Sequence, residues 1–152
     1  MKFKDSELIL NNNGSIFHLN LKPENISKDI ILVGDPDRVT MVSKHFETIE
    51  FSIQKREFKT ITGTYRNKRF SVISTGIGSD NIDIVLNELD ALVNINFETK
   101  EISKEICSLN IVRIGTSGSL QNDIPLDCFL MSTYAIDING MLQSYKTESI
   151  SH

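Results

Sequence analysis

Apolar positions along the chain switch between runs suited to strands and spacings suited to helices. Ile30-Ile31-Leu32-Val33 is a continuous, largely β-branched run that stops at Gly34, the pattern of a strand buried on both faces. Asp35-Pro36 then predicts a helix start, because Asp can cap free N–H groups and Pro suits the first turn. Val39, Val42 and Phe46 fall on one face of that helix. From Ile49 to Ser74 the pattern predicts two β segments meeting at Tyr65-Arg66-Asn67-Lys68-Arg69, where Asn67 can take the positive φ of a tight hairpin. Thr75-Gly76-Ile77-Gly78-Ser79-Asp80 reads as a turn. Ile82, Val85, Leu86, Leu89, Leu92 and Val93 predict the next helix, capped by Asp80. Ile111-Val112-Arg113-Ile114 predicts a second buried strand, and Asp127 to Ala135 the last one.

The rest is less patterned. Residues 1–29 form a polar arm, most polar over 1–16, with one apolar docking patch at Phe17-His18-Leu19-Asn20-Leu21. Residues 94–110 read as an exposed excursion, and 136–152 as a poorly defined tail. Buried strands mixed with crossover helices predict an α/β fold. A length of 152 residues with 39% apolar side chains fits one domain, 1–152, with one core.

Charge and cysteine usage narrow the function. A net charge of −4 gives no overall attraction to nucleic acid or to an anionic membrane, so any anion site must be local. No apolar run approaches the ~18 residues that suggest a spanning helix. The opening MKFKDSELIL is charged and short of a signal region, and Cys107 and Cys128 read as reduced thiols of a cytoplasmic protein. No close His or Cys pair supports zinc, and Gly-x-Ser-x-Gly is absent.

Two predicted strands end in a glycine with an arginine nearby: Gly34-Asp35-Pro36-Asp37-Arg38, and Arg113 leading into Gly115-Thr116-Ser117-Gly118. In open α/β sheets ligands lie outside the carboxyl ends of strands. Glycines admit an anion close to backbone N–H groups, and arginines add bidentate hydrogen bonds, so phosphate is the natural ligand. Alone, Gly34 reads as a strand-ending turn and Arg38 as a solvated first-turn residue. Arg113 carries more weight, since a guanidinium inside a buried apolar strand is costly unless paired with an anion. Thr75-Gly76-Ile77-Gly78 lacks the third glycine and the lysine of common phosphate loops, and a nicotinamide site does not follow from it. His18 alone reads as a partly packed surface histidine; His45 ends a helix and His152 is terminal.

In order, Phe17-His18-Leu19, Gly34-Asp35-Pro36-Asp37-Arg38, Arg56-Glu57-Phe58, Ser74-Thr75-Gly76-Ile77-Gly78 and Arg113-Ile114-Gly115-Thr116-Ser117-Gly118 resemble uridine phosphorylases, the hexameric branch of the nucleoside phosphorylases. The resemblance covers residues 17 to about 135. It implies a mixed central sheet with flanking helices, truncated at the C-terminus relative to the family. It also implies reversible phosphorolysis of uridine to uracil and ribose 1-phosphate, with inorganic phosphate as co-substrate. Carried over by position, Gly34, Arg38, Arg113 and Thr116 hold phosphate, and Thr116 also lies near the ribose. Arg56 enters a neighbouring subunit's phosphate site, and His18 reaches a neighbour's ribose hydroxyl. A homo-oligomer follows, with a dimer as basic unit and a hexamer when complete. In some members a monovalent cation such as potassium sits at the dimer interface. The matching positions are Glu57, the Ile77 carbonyl and Asn81, which stands where the pattern has a serine. The base-reading segment has no counterpart here, so weak or absent activity, a purine nucleoside or methylthioadenosine-type relative, and a non-catalytic phosphate-binding or subunit-associating half-protein remain open.

Overall fold

A computed structural model describes residues 2–145. The chain divides into two units, residues 1–115 and 116–152. The first contains a five-stranded sheet of order β2-β3-β4-β1-β7, built from β1 (Asp29–Val33), β2 (Thr48–Lys55), β3 (Phe58–Tyr65), β4 (Lys68–Ser74) and β7 (Asn110–Ile114). A two-stranded ladder joins β5 (Ile95–Asn96) to β6 (Glu101–Ile102), and the helices are α1 (Pro36–Ser43) and α2 (Ser79–Asn94). β1 runs parallel to both β4 and β7, while β2, β3 and β4 form an antiparallel meander. The sheet is therefore mixed, as expected, and the carboxyl ends of β1, β4 and β7 share one edge of it.

Local chemistry accounts for most of these elements. The Asp35 carboxylate accepts the backbone N–H of Asp37 at 2.6 Å and so caps α1, with Pro36 in the first turn. α1 buries Val39 against Val33, Ile61 and Val72, and Val42 and Phe46 pack on the same cluster. Burying one such side chain is worth about 1.5–3 kcal/mol. The larger cluster lies under α2 and includes Val85, Leu89, Leu92, Ile30, Leu32, Phe58 and Ile73. Leu8, Ile16, Leu19, Leu21 and Ile26 belong to it too, so the N-terminal arm forms part of the core rather than a patch docked on it.

Several expectations are corrected. The 49–74 region holds three strands rather than two, because Lys55 pairs with Phe58 and Arg56 turns the chain at φ 57°. The other hairpin turns as expected, through Arg66 (φ 49°) and Asn67 (φ 61°). Gly78, at φ 105°, is the N-cap of α2, and Asp80 lies inside its first turn, where a carboxylate favours the positive helix end without capping it. Residues 94–110 are organised: the Asn94 side chain accepts the Cys107 N–H at 2.7 Å and donates to the Cys107 carbonyl at 3.1 Å, closing the loop around β5 and β6. β7 is exposed rather than buried, with Val112 62% accessible, because it forms the sheet edge and a strand's burial comes from its neighbours. Asp127 to Ala135 is exposed and unladdered among the described residues, so no strand forms there. In the second unit, the Asp137 carboxylate accepts N–H groups of Asn139, Gly140 and Leu142 and starts a 3-10 turn at Met141–Ser144. The rest of the 136–152 tail, from residue 146 on, lies outside the described residues, and with it His152.

One buried group in the sheet has no match. Among the described residues, the Thr60 hydroxyl is buried without a hydrogen-bond partner. Thr60→Val keeps the shape and removes the unsatisfied oxygen, so it is expected to stabilise the chain by about 1 kcal/mol in urea denaturation.

Candidate functional site

The first cluster forms at the carboxyl ends of the parallel strands. β1 ends at Val33, and its carbonyl accepts the Thr75 N–H at 2.8 Å, drawing the loop after β4 alongside. A Cβ built on Gly34 would lie 3.8 Å from Arg113 Nη2 and 3.9 Å from the Gly76 carbonyl. Gly34, Arg113 and the Gly76 turn therefore meet at one tip. A Cβ at Gly115 would come within 2.7 Å of Arg113 Nη1, so the absence of a side chain there leaves room for the guanidinium. Arg113 is exposed, contrary to the buried setting expected from its strand, and its charge faces solvent rather than a hydrocarbon interior. Arg38 stands one turn into α1, half-buried, directly after the strand tip. Asp35 at the same tip spends its carboxylate on its own helix start. Two arginines and glycine-lined backbone at a helix N-terminus make a setting that could hold a phosphate-like anion. Thr116 opens the second unit and is exposed.

The second cluster sets the turn that carries Arg56 beside the Phe17-His18 segment. Arg56 is exposed in the β2–β3 turn. Its neighbour Lys55 donates to the Phe17 carbonyl and to Asn11 Oδ1 and stacks 4.4 Å over the Phe17 ring. Phe58, on the other side of the turn, packs 6.5 Å from the His18 ring. The segments that carry the two residues which the resemblance sends towards a neighbouring subunit are thus in contact. Sequence reasoning missed the residue that secures His18. The Glu88 carboxylate, on α2, accepts the His18 N–H at 2.8 Å, the Leu19 N–H at 2.8 Å and lies 2.7 Å from His18 Nδ1. A signal for it existed: Glu88 interrupts the apolar stripe of α2, three residues after Val85 and four before Leu92.

Glu57, Ile77 and Asn81 do come together, joining the two clusters. Asn81 Nδ2 donates to Glu57 Oε1 at 3.1 Å and to the Ile77 carbonyl at 3.3 Å. A cation needs converging lone pairs, whereas here an amide points its hydrogens at both oxygens. The trio as arranged does not fit a cation at those three positions. The expected result is that potassium chloride and tetramethylammonium chloride at equal ionic strength give the same melting temperature. Asn81→Ser should lower stability by about 1–2 kcal/mol for the two lost hydrogen bonds.

Comparisons with known proteins add a family to this geometry. Residues 28–149 match the family model described as the phosphorylase superfamily. A uridine phosphorylase of Thermococcus kodakarensis is 28% identical over 95% of this chain and 47% of its own length. One of Treponema pallidum is 33% identical over 85% of this chain and 45% of its own length. A DeoD-type purine nucleoside phosphorylase of Alkaliphilus metalliredigens is 33% identical, over 80% and 48% respectively. Among solved structures, a Trypanosoma brucei nucleoside phosphorylase described as showing uridine phosphorylase activity superposes with a TM-score of 0.71 at 36% identity, covering 78% of this chain and 41% of that one. The chain spans about half the length of the curated relatives it matches.

Proposed function

We propose that this chain, which belongs to the phosphorylase superfamily, supplies the phosphate-holding part of a nucleoside phosphorylase acting on uridine. The observation that carries the reading is the meeting of Gly34, Arg113 and the Gly76 turn at the carboxyl ends of parallel strands. Gly34, Arg38 and Arg113 hold phosphate from one subunit. Arg56 and His18, carried on neighbouring segments of the chain, complete a neighbour's phosphate and ribose site. In phosphorolysis a phosphate oxygen bonds to the ribose C1′ as the bond from C1′ to the base nitrogen breaks, and that electron pair leaves with the base. The ribose gains oxocarbenium character on the way. A dianion fixed beneath it by arginines both stabilises that charge and lies in line to attack, the two effects on which such reactions chiefly depend.

The test is phosphate-dependent release of uracil from uridine by the purified chain, with inosine and adenosine alongside. Uracil release that requires phosphate supports the reading. Release of purine base instead supports the second reading, a purine nucleoside phosphorylase, which the 33% identity to a DeoD-type relative favours. No release with any nucleoside, while phosphate still raises the melting temperature, leaves an anion-binding protein and removes the enzymatic claim for this chain.

A further inference from the structure

We infer that Glu88 is a positioning residue: it fixes His18 as the Nδ1–H tautomer and so presents Nε2 as a hydrogen-bond acceptor for a ligand hydroxyl. The nature of that ligand rests on the function proposed above; the tautomer does not.

A carboxylate only accepts hydrogen bonds, so every group it meets must donate. Glu88 Oε1 receives the His18 backbone N–H at 2.8 Å and lies 2.7 Å from Nδ1, while Oε2 receives the Leu19 N–H at 2.8 Å and the His18 N–H at 3.1 Å. With both oxygens facing donors, the proton of a neutral His18 ring belongs on Nδ1. The hydrogen bond at one ring nitrogen thereby sets the role of the other. The ring is further held by Phe17, edge-on at 4.9 Å, and by Phe58. Among the described residues Nε2 has no hydrogen-bond partner, and the His18 side chain is 31% accessible against 12% for Glu88. Nδ1 is thus committed to Glu88 and Nε2 is left to a ligand. A lone pair at Nε2 suits a hydroxyl donor, such as a sugar OH, and does not suit an anion.

The decisive measurement is the tautomer of His18 from long-range proton–nitrogen spectra of histidine-labelled protein, taken at about pH 8.5, two units above the ordinary histidine value of about 6.5. His18→Asn assigns the signals, and His45 serves as internal control. The expected wild-type spectrum has a protonated Nδ1 and an unprotonated Nε2. In Glu88→Gln, the amide oxygen serves the two backbone N–H groups and its NH2 turns to Nδ1, so the ring proton moves to Nε2. An Nε2–H ring or an even mixture in the wild type overturns the inference, as does a folded Glu88→Gln protein that keeps the wild-type tautomer. If the variant does not fold, the wild-type spectrum alone decides. Adding uridine with phosphate separates the two claims. Movement of the Nε2 resonance supports the hydroxyl contact, and a fixed Nε2 beside the expected tautomer overturns the ribose assignment while leaving the role of Glu88 intact.

Discussion

Gly63→Ala is expected to cost about 3 kcal/mol of stability, seen as a large fall in the urea midpoint with little change in slope. Gly63 is buried in β3, paired with Ile49 on one side and Phe70 on the other. A Cβ there would stand 2.1 Å from the Thr48 carbonyl oxygen and 2.7 Å from Phe46 Cδ2. The ring could swing aside, but the carbonyl cannot retreat without pulling β2 off β3. Gly34→Ala is the matching control, because its new methyl meets its neighbours at 3.8 and 3.9 Å, ordinary contact distances. It should change stability by less than about 1 kcal/mol. Equal losses in both variants would show that glycine backbone freedom, not the Thr48 carbonyl, governs the sheet.

Arg113→Ala is expected to act the other way, sparing the fold and abolishing the anion response. The side chain is exposed on an edge strand, so stability should move by no more than about 0.5 kcal/mol. A charge-assisted hydrogen-bond pair to phosphate is worth about 2–3 kcal/mol, which means binding weaker by about 30- to 150-fold. Phosphate titrations followed by melting temperature should therefore show a clear rise for the wild type and almost none for Arg113→Ala. An unchanged rise would move the anion away from the Gly34 tip and undo the site as drawn.

How far such results could be anticipated from sequence depends on where each feature's cause lies. β1, the Asp35 cap of α1 and the Asn67 turn have causes within a few residues of themselves: a β-branched run, a carboxylate before a proline, an asparagine tolerant of positive φ. The turn at Arg56 was hidden because neither Arg56 nor Glu57 belongs to the residues that announce turns, and its φ of 57° is imposed by the strands it joins. The exposure of β7 was hidden for a related reason: Ile111, Val112 and Ile114 look the same in a central strand and at an edge. The meeting of Gly34 with Arg113 was legible because both mark the carboxyl ends of strands in one sheet. Glu88 and His18 are 70 residues apart, and only the broken apolar stripe of α2 hinted that the helix had a polar appointment to keep.

α2 holds both the Arg56 turn and His18 at once. Asn81 ties down the turn that carries Arg56, through Glu57, and Glu88 ties down His18. The two anchors are seven residues apart, so they stand about 10 Å apart along the axis and within about 20° of each other around it. The helix is thus a ruler: the spacing between the arginine and the histidine is written into the residue count of one rigid rod. A single residue inserted between Asn81 and Glu88 would swing one anchor by about 100° relative to the other without touching either.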